Sequence, residues 1–213
     1  MTAKASAREK AQDHLRRKLV TLRLRPGQFI DIAKECSEVG VGRTPMMEAV
    51  QQLSTYELVE IHPRSGCQVT QPDIMQARRI YEVREVLEGL AARLAATRGS
   101  RSRITQLTEL LAAQKLQKNT QDHEAFLLAD LEMHLAVAEM SDNTYLYRAL
   151  ERVLVLNTRL WFMFFEHVVP NEDDLFSHEN IVEKIIEKLP DEAELLAKEH
   201  VSRAKERLMV LFT

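Results

Sequence analysis

The rhythm of apolar positions changes once along the chain, near residue 72. From Ala7 to about Leu22, the residues Ala11, Leu15, Leu19 and Leu22 recur at helical spacing with basic residues between them, which predicts a first amphipathic helix. The RPG at 25 to 27 stops it. Asp31 stands where it caps a second helix through about Glu38, and Gly40 allows a tight turn after it. In the third segment Met46, Met47, Val50 and Leu53 follow helical spacing, with Thr44 as the expected N-cap and Pro45 as the expected first helical residue. Two short helices around a glycine turn make a helix-turn-helix. Beyond them, LVEIH at 58 to 62 and CQVTQ at 67 to 71 read as strands flanking PRSG, a hairpin with Arg64, Ser65 and Gly66 at its tip. The expected unit is a winged helix-turn-helix.

From Asp73 onward strand signals almost vanish. Helices are expected at about 73 to 97, 103 to 118, 121 to 141, 144 to 166, 173 to 188 and 191 to 212, with Asp73, Asp142 or Asn143, and Asp191 as caps. The fold class is therefore mainly α: a winged helix at 1 to 72 and an all-α bundle of six to seven helices at 73 to 213. Tyr81, Val83, Leu87, Leu90 and Leu94 mark the expected buried stripe of the first bundle helix. The aromatic run LWFMFFEH at 160 to 167 reads as core or dimer interface.

Length and composition change this picture little, because 213 residues with 45% apolar and 29% charged positions suit two modest globular domains. No apolar run approaches the ~20 residues of a membrane span, so a cytoplasmic protein is expected. Cys36 and Cys67 read as reduced thiols. Charge adds more. Residues 1 to 72 carry 11 basic against 8 acidic side chains, net +3, and residues 73 to 213 carry 18 against 24, net −6. A basic module joined to an acidic one fits a small polyanion-binding domain with a separate sensing or assembly domain. Arg43 lies beside the positive end of the third helix, which favours anions. In a winged helix that helix enters the DNA major groove, and the hairpin reaches the backbone or minor groove.

In the second half, Asp130 and His134 stand four apart on one helix, within reach of one ion. An oxygen and an imidazole suit zinc, nickel, manganese or iron better than calcium. The same pair also reads as two polar residues at the helix surface or a local hydrogen bond. His178 and His200, each on a later helix, stand where inward-facing residues of a bundle converge with the first two. His14, His62, His123 and His167 lack such partners and read as surface or structural. Arg84 and Glu88 form either a surface i, i+4 pair or an inward anion clamp. A metallohydrolase is the competing enzymatic reading, but Glu139 and Glu179 are ordinary helix-surface acids rather than telling general bases.

The order of these pieces resembles the GntR family of bacterial transcription regulators, within it the FadR-like group whose C-terminal domain is called FCD. LRLRPG at 22 to 27, GVGRTPMMEAVQQL at 40 to 53 and ELVEIHPRSGCQV at 57 to 69 carry the likeness in the first half. YEVREVLEGLAARLAA at 81 to 96, DLEMHLAVAEMSDN at 130 to 143 and SHENIVEKI at 177 to 185 carry it in the second. The resemblance implies a homodimer that binds operator DNA through Arg43, Thr44, Pro45, Met47, Arg64, Ser65 and Gly66. It implies a divalent metal, zinc foremost with nickel or manganese as alternatives, on Asp130, His134, His178 and His200, and a small carboxylate effector near Arg84 and Asn180. Relatives usually read V-S-R-T-P-V-R-E-A-L where this chain has Gly42 for the serine and Met47 for the second arginine. Losing a bidentate guanine contact removes ~1 to 3 kcal/mol of discrimination, so the operator is expected to differ.

Overall fold

A computed structural model of the chain describes residues 5–118, 122–164 and 178–210. The chain divides into two compact units, Met1–Pro72 and Asp73–Thr213.

In the first unit, α1 (Ala7–Val20) begins with a capping box: the Ser6 hydroxyl accepts from the Glu9 amide, and the Glu9 carboxylate accepts from the Ser6 amide. Its stripe Ala11, Leu15 and Leu19 is fully buried. The helix ends at Val20, short of the expected Leu22, and Leu22 turns the chain with φ 59°. Next, α2 (Ile32–Val39) starts on Asp31, whose side chain accepts from the Lys34 amide, and ends on Gly40 in the left-handed region at φ 70°. After it, α3 (Arg43–Thr55) starts one residue before the expected cap. Gly42 takes the N-cap position without a side-chain bond, so Thr44 and Pro45 lie inside the first turn. The first helical bond runs from the Met46 amide to the Gly42 carbonyl, so the missing donor of Pro45 still costs nothing. Met46, Ala49, Val50 and Leu53 form its buried face.

The strands β1 (Val59–His62) and β2 (Gly66–Val69) pair antiparallel, with His62 opposite Gly66. Phe29 bridges to Gln68, so the segment before α2 lines the hairpin edge. Between α1 and α2, Glu35 is almost completely buried. Both its oxygens accept from Lys18 Nζ at 2.7 Å, and His14 Nε2 lies 2.7 Å from Oε2. A carboxylate this deep is tolerable only when paired, so the network fixes the angle at which α2 leaves α1.

The second unit comprises α4 (Ile74–Arg98), α5 (Arg101–Lys118), α6 (His123–Met140), α7 (Thr144–Phe164), α8 (Glu179–Ile186) and α9 (Pro190–Val210). Asp73 and Asn143 take the expected cap positions of α4 and α7, their side-chain oxygens accepting first-turn amides. Asp191 does not cap, because α9 already begins at Pro190. The segment 173–177 of the expected fifth bundle helix, and His167 with the end of the aromatic run, lie outside the described residues. Of that run, Leu160 and Trp161 are buried in α7.

The buried stripe of α4 departs from expectation. Tyr81 is buried, but Val83 and Leu90 are 44% and 38% exposed, and the helix instead buries Ala77, Arg84, Glu88, Ala91, Ala92, Ala95 and Ala96. Small residues let α9 lie close. A Cβ on Gly89 would come within 2.7 Å of the Lys198 side chain. Arginine and glutamate on this face point into a polar centre that an apolar count cannot anticipate.

The buried Glu35 network is directly testable. Lys18→Met leaves Glu35 only His14 as a partner and should lower unfolding free energy by about 1 to 3 kcal/mol. Lys34→Met, whose ammonium is 3.8 Å from Glu38 at the surface, should change it by under about 0.5 kcal/mol. Denaturant titration of both variants decides the matter, and equal losses would mean that the network contributes nothing.

Candidate functional site

Three helices deliver four polar side chains to one interior point of the second unit. Asp130 and His134 come from successive turns of α6, His178 from the N-cap position of α8, and His200 from the middle of α9. All four are buried. One nitrogen from each of His134, His178 and His200 lies within 4.8 Å of the others. His134 Nε2 is 3.2 Å from His178 Nε2, and the Asp130 oxygens lie 3.6 Å and 3.7 Å from these two nitrogens.

A second ring of residues turns these ligating atoms inward. Glu88 on α4 accepts from His134 Nδ1 at 2.6 Å. Gln114 on α5 accepts from His178 Nδ1 at 3.0 Å through Oε1 and donates to Asp130 Oδ1 at 3.0 Å through Nε2. With each Nδ1 engaged as a donor, both Nε2 atoms present lone pairs to the same space. Two lone pairs 3.2 Å apart repel unless a cation lies between or beside them. His200 Nδ1, also buried, has no hydrogen-bond partner among the described residues. An orphaned imidazole nitrogen beside two inward-facing ones and a carboxylate is the donor set of a divalent metal site, so the residues fit such an ion.

The electrostatics of His178 and His200 agree with ligating forms. Burial, reinforced by the neighbouring imidazoles, pushes His178 well below the ordinary histidine value, and burial drives His200 down to about 3. Both are neutral at physiological pH. Burial would lower His134 too, but Glu88 and Asp130 outweigh it and raise its pKa. Burial raises Asp130. Glu88 is pushed up by burial yet held below the usual carboxylate range by Arg84 and His134.

Arg84 is the next link outward. It is 1% exposed and Glu88 7%, so their pair is interior and not the surface salt bridge that spacing alone allowed. Arg84 Nε donates to Glu88 at 2.5 Å, its guanidinium stacks 5.0 Å from the Tyr81 ring centroid, and its Nη1 has no partner among the described residues. One carboxylate thus holds both a guanidinium and an imidazole. A cavity of about 20 Å³ touches Glu88, His134 and His178, enough for one water-sized occupant. Asn180 is not brought to this centre. It is exposed on α8, while the next two residues, Ile181 and Val182, face the core.

In the first unit, Arg43 and Thr44 are exposed at the start of α3, Pro45 and Met47 are half-buried, and Arg64, Ser65 and Gly66 are exposed at the hairpin tip. Arg64 and Gly66 adopt φ 71° and 106°, which closes the tight turn. Burial raises the pKa of Cys67 on β2, and the charge of Arg43 opposes that rise, so the α3 start lies near the hairpin. Of the site-forming residues, Gln114 and the orienting role of Glu88 were missed from sequence. A glutamine on an amphipathic helix carries no signal until the fold supplies its partners.

Two family descriptions match the chain: bacterial regulatory proteins, gntR family, over residues 7–69, and FCD domain over residues 79–203. The HTH-type transcriptional repressor RspR of Escherichia coli (strain K12) is 26% identical over 192 residues, covering 90% of this chain and 84% of the relative. The Uxu operon regulator of Haemophilus influenzae is 27% identical over 205 residues, covering 87% and 75%. Among solved structures, E. coli McbR/YncC has the same fold with a TM-score of 0.87 at 19% identity, covering 99% of this chain and all of the other.

The Gln114 geometry yields a quantitative expectation. Gln114→Leu removes the bonds that orient His178 and Asp130, and should weaken zinc binding about 10- to 100-fold while the fold persists. Competition with a chromogenic chelator measures this, and unchanged affinity would mean that Gln114 orients nothing.

Proposed function

The chain belongs to the gntR family of bacterial regulatory proteins, with an FCD domain, and is a DNA-binding transcriptional regulator rather than an enzyme; we propose that it is a homodimeric repressor controlled by a small carboxylate. The winged-helix unit is the DNA-binding domain and the helical unit the effector-binding and dimerisation domain. Acting on DNA, it works in the bacterial cytoplasm. Among the described residues no helix is long and apolar enough to cross a membrane.

In this reading α3 enters the major groove, with Arg43 and Thr44 at its leading turn, and Arg64, Ser65 and Gly66 reach the flanking backbone. The net +3 of residues 1 to 72 supports binding a polyanion. Pro45 shapes the helix start. Met47, half-buried and without a donor, offers only apolar contact, for example to a thymine methyl.

Asp130, His134, His178 and His200 would hold zinc, or alternatively nickel or manganese. When bound, the ion supplies a fixed positive charge with coordination positions open to an effector carboxylate. Arg84 supplies the second cationic point. The observation that carries the effector reading is its buried, unpartnered Nη1, one carboxylate away from the imidazole cluster. A buried guanidinium with a free donor edge is an anion site in waiting. A metal serving structure alone would leave that donor without a purpose.

Homodimerisation draws support from α4, where Met75, Val83, Val86 and Leu90 are 38% to 62% exposed along one helix. Exposed apolar rows of this kind mark protein contacts. Repression follows the role in the name of the Escherichia coli relative.

DNA binding is tested by fluorescence anisotropy, with metal-loaded protein and fragments of its own upstream region over a salt series. Binding should weaken steeply with salt, and Arg43→Ala should reduce affinity by about tenfold without unfolding the chain. Absence of binding to every fragment at low salt would overturn the assignment.

A further inference from the structure

Asn157 sits in the middle of α7, 2% exposed, with Oδ1 buried and lacking any hydrogen-bond partner among the described residues. Asparagine is a poor interior residue for a helix, and an unfilled buried acceptor is costly, so its presence asks for a partner. Neighbouring Thr158 is satisfied within the helix, its hydroxyl donating to the Leu154 carbonyl. Asn157 Oδ1 forms no such bond among the described residues.

Its position follows from the packing of α7 on α4. Ala91 belongs to one packed cluster with Leu146, Leu150 and Leu154. Ten residues earlier on α4, Tyr81 lies beside Trp161. The two helices therefore run in opposite directions, and the level of Arg84 and Glu88 falls between Leu154 and Trp161. Leu150, Leu154, Asn157 and Trp161 also recur at i, i+4, i+7 and i+11, on one side of α7. Asn157 is the polar residue of that side, and it faces the helix that carries Arg84. An unfilled donor on α4, Arg84 Nη1, and an unfilled acceptor on α7 thus occur at one level of the same helix pair.

We infer that Asn157 is a second recognition point of the effector site, and that the effector is a short hydroxy acid whose carboxylate accepts from Arg84 and whose hydroxyl donates to Asn157 Oδ1. This rests on the carboxylate-effector reading above and adds the class of acid. A carboxylate without a donor would fill Arg84 and leave Asn157 unsatisfied, and a neutral alcohol would do the reverse. Only a ligand with both groups completes the pair. Asn180, the asparagine suggested by sequence, has no part in it.

The test is isothermal titration calorimetry of the zinc-loaded full chain with matched probes: lactate against propionate and malate against succinate. In the wild type the hydroxy member of at least one pair should bind about tenfold more tightly than its deoxy partner. Asn157→Leu should bring that pair within about twofold while leaving deoxy-acid affinity and zinc content unchanged. Asn157→Ala provides the same comparison should leucine disturb packing. Equal binding within both wild-type pairs, binding of none of the four, or a preference that survives both Asn157 variants would overturn the inference. Arg84→Met separates it from its premise: binding that persists undiminished in that variant refutes the carboxylate reading itself, whereas binding lost without any wild-type hydroxyl preference refutes only the role of Asn157.

Discussion

The helical unit is organised around one electrostatic problem. Three imidazoles, two carboxylates and a guanidinium are buried together, and none can remain there unless the others satisfy it. The solution is a chain of shared partners. Arg84 and His134 divide the oxygens of Glu88, Gln114 joins His178 to Asp130, and the two Nε2 lone pairs then face each other. The space they face and the outer edge of Arg84 are the places proposed for the ion and the ligand.

Much of the surrounding architecture follows from bringing those groups together. Five of the six bundle helices contribute to the centre, so α4 must lie close to α9, and it does so with alanines and Gly89 rather than with leucines. The displaced larger residues, Val83, Val86 and Leu90, are left on the outside. The exposed row proposed to meet a second copy is thus the complement of the polar interior. Through Glu88, a ligand on Arg84 and an ion on His134 would act on the same carboxylate. Their binding energies are therefore expected to be linked, each strengthening or weakening the other by the same factor.

The sequence was legible where local chemistry decides structure. Asp31, Gly40, Asp73 and Asn143 cap helices where their side chains or backbone freedom predict, and PRSG turns the hairpin. Reading failed by a residue or two where several caps compete, as at Gly42 against Thr44 and at Pro190 against Asp191. It failed more deeply on α4, because spacing shows that Leu90 and Arg84 lie on different sides of a helix but not which side is inside. Among the site residues, histidines announce themselves by scarcity. Gln114 and Asn157 are common residue types, and their importance arises only from buried hydrogen-bond accounting across helices far apart in sequence.

The most direct test of the central claim is the divalent-ion content of untagged protein, measured by mass spectrometry after dialysis against zinc, nickel or manganese and removal of free ion. The account predicts about one tightly held ion per chain, and almost none in a His178→Ala, His200→Ala double variant that remains folded. A wild-type chain that retains no ion under any of these conditions would contradict it, leaving the imidazole cluster as a proton-balanced polar core and Arg84 as the cationic point proposed for a ligand.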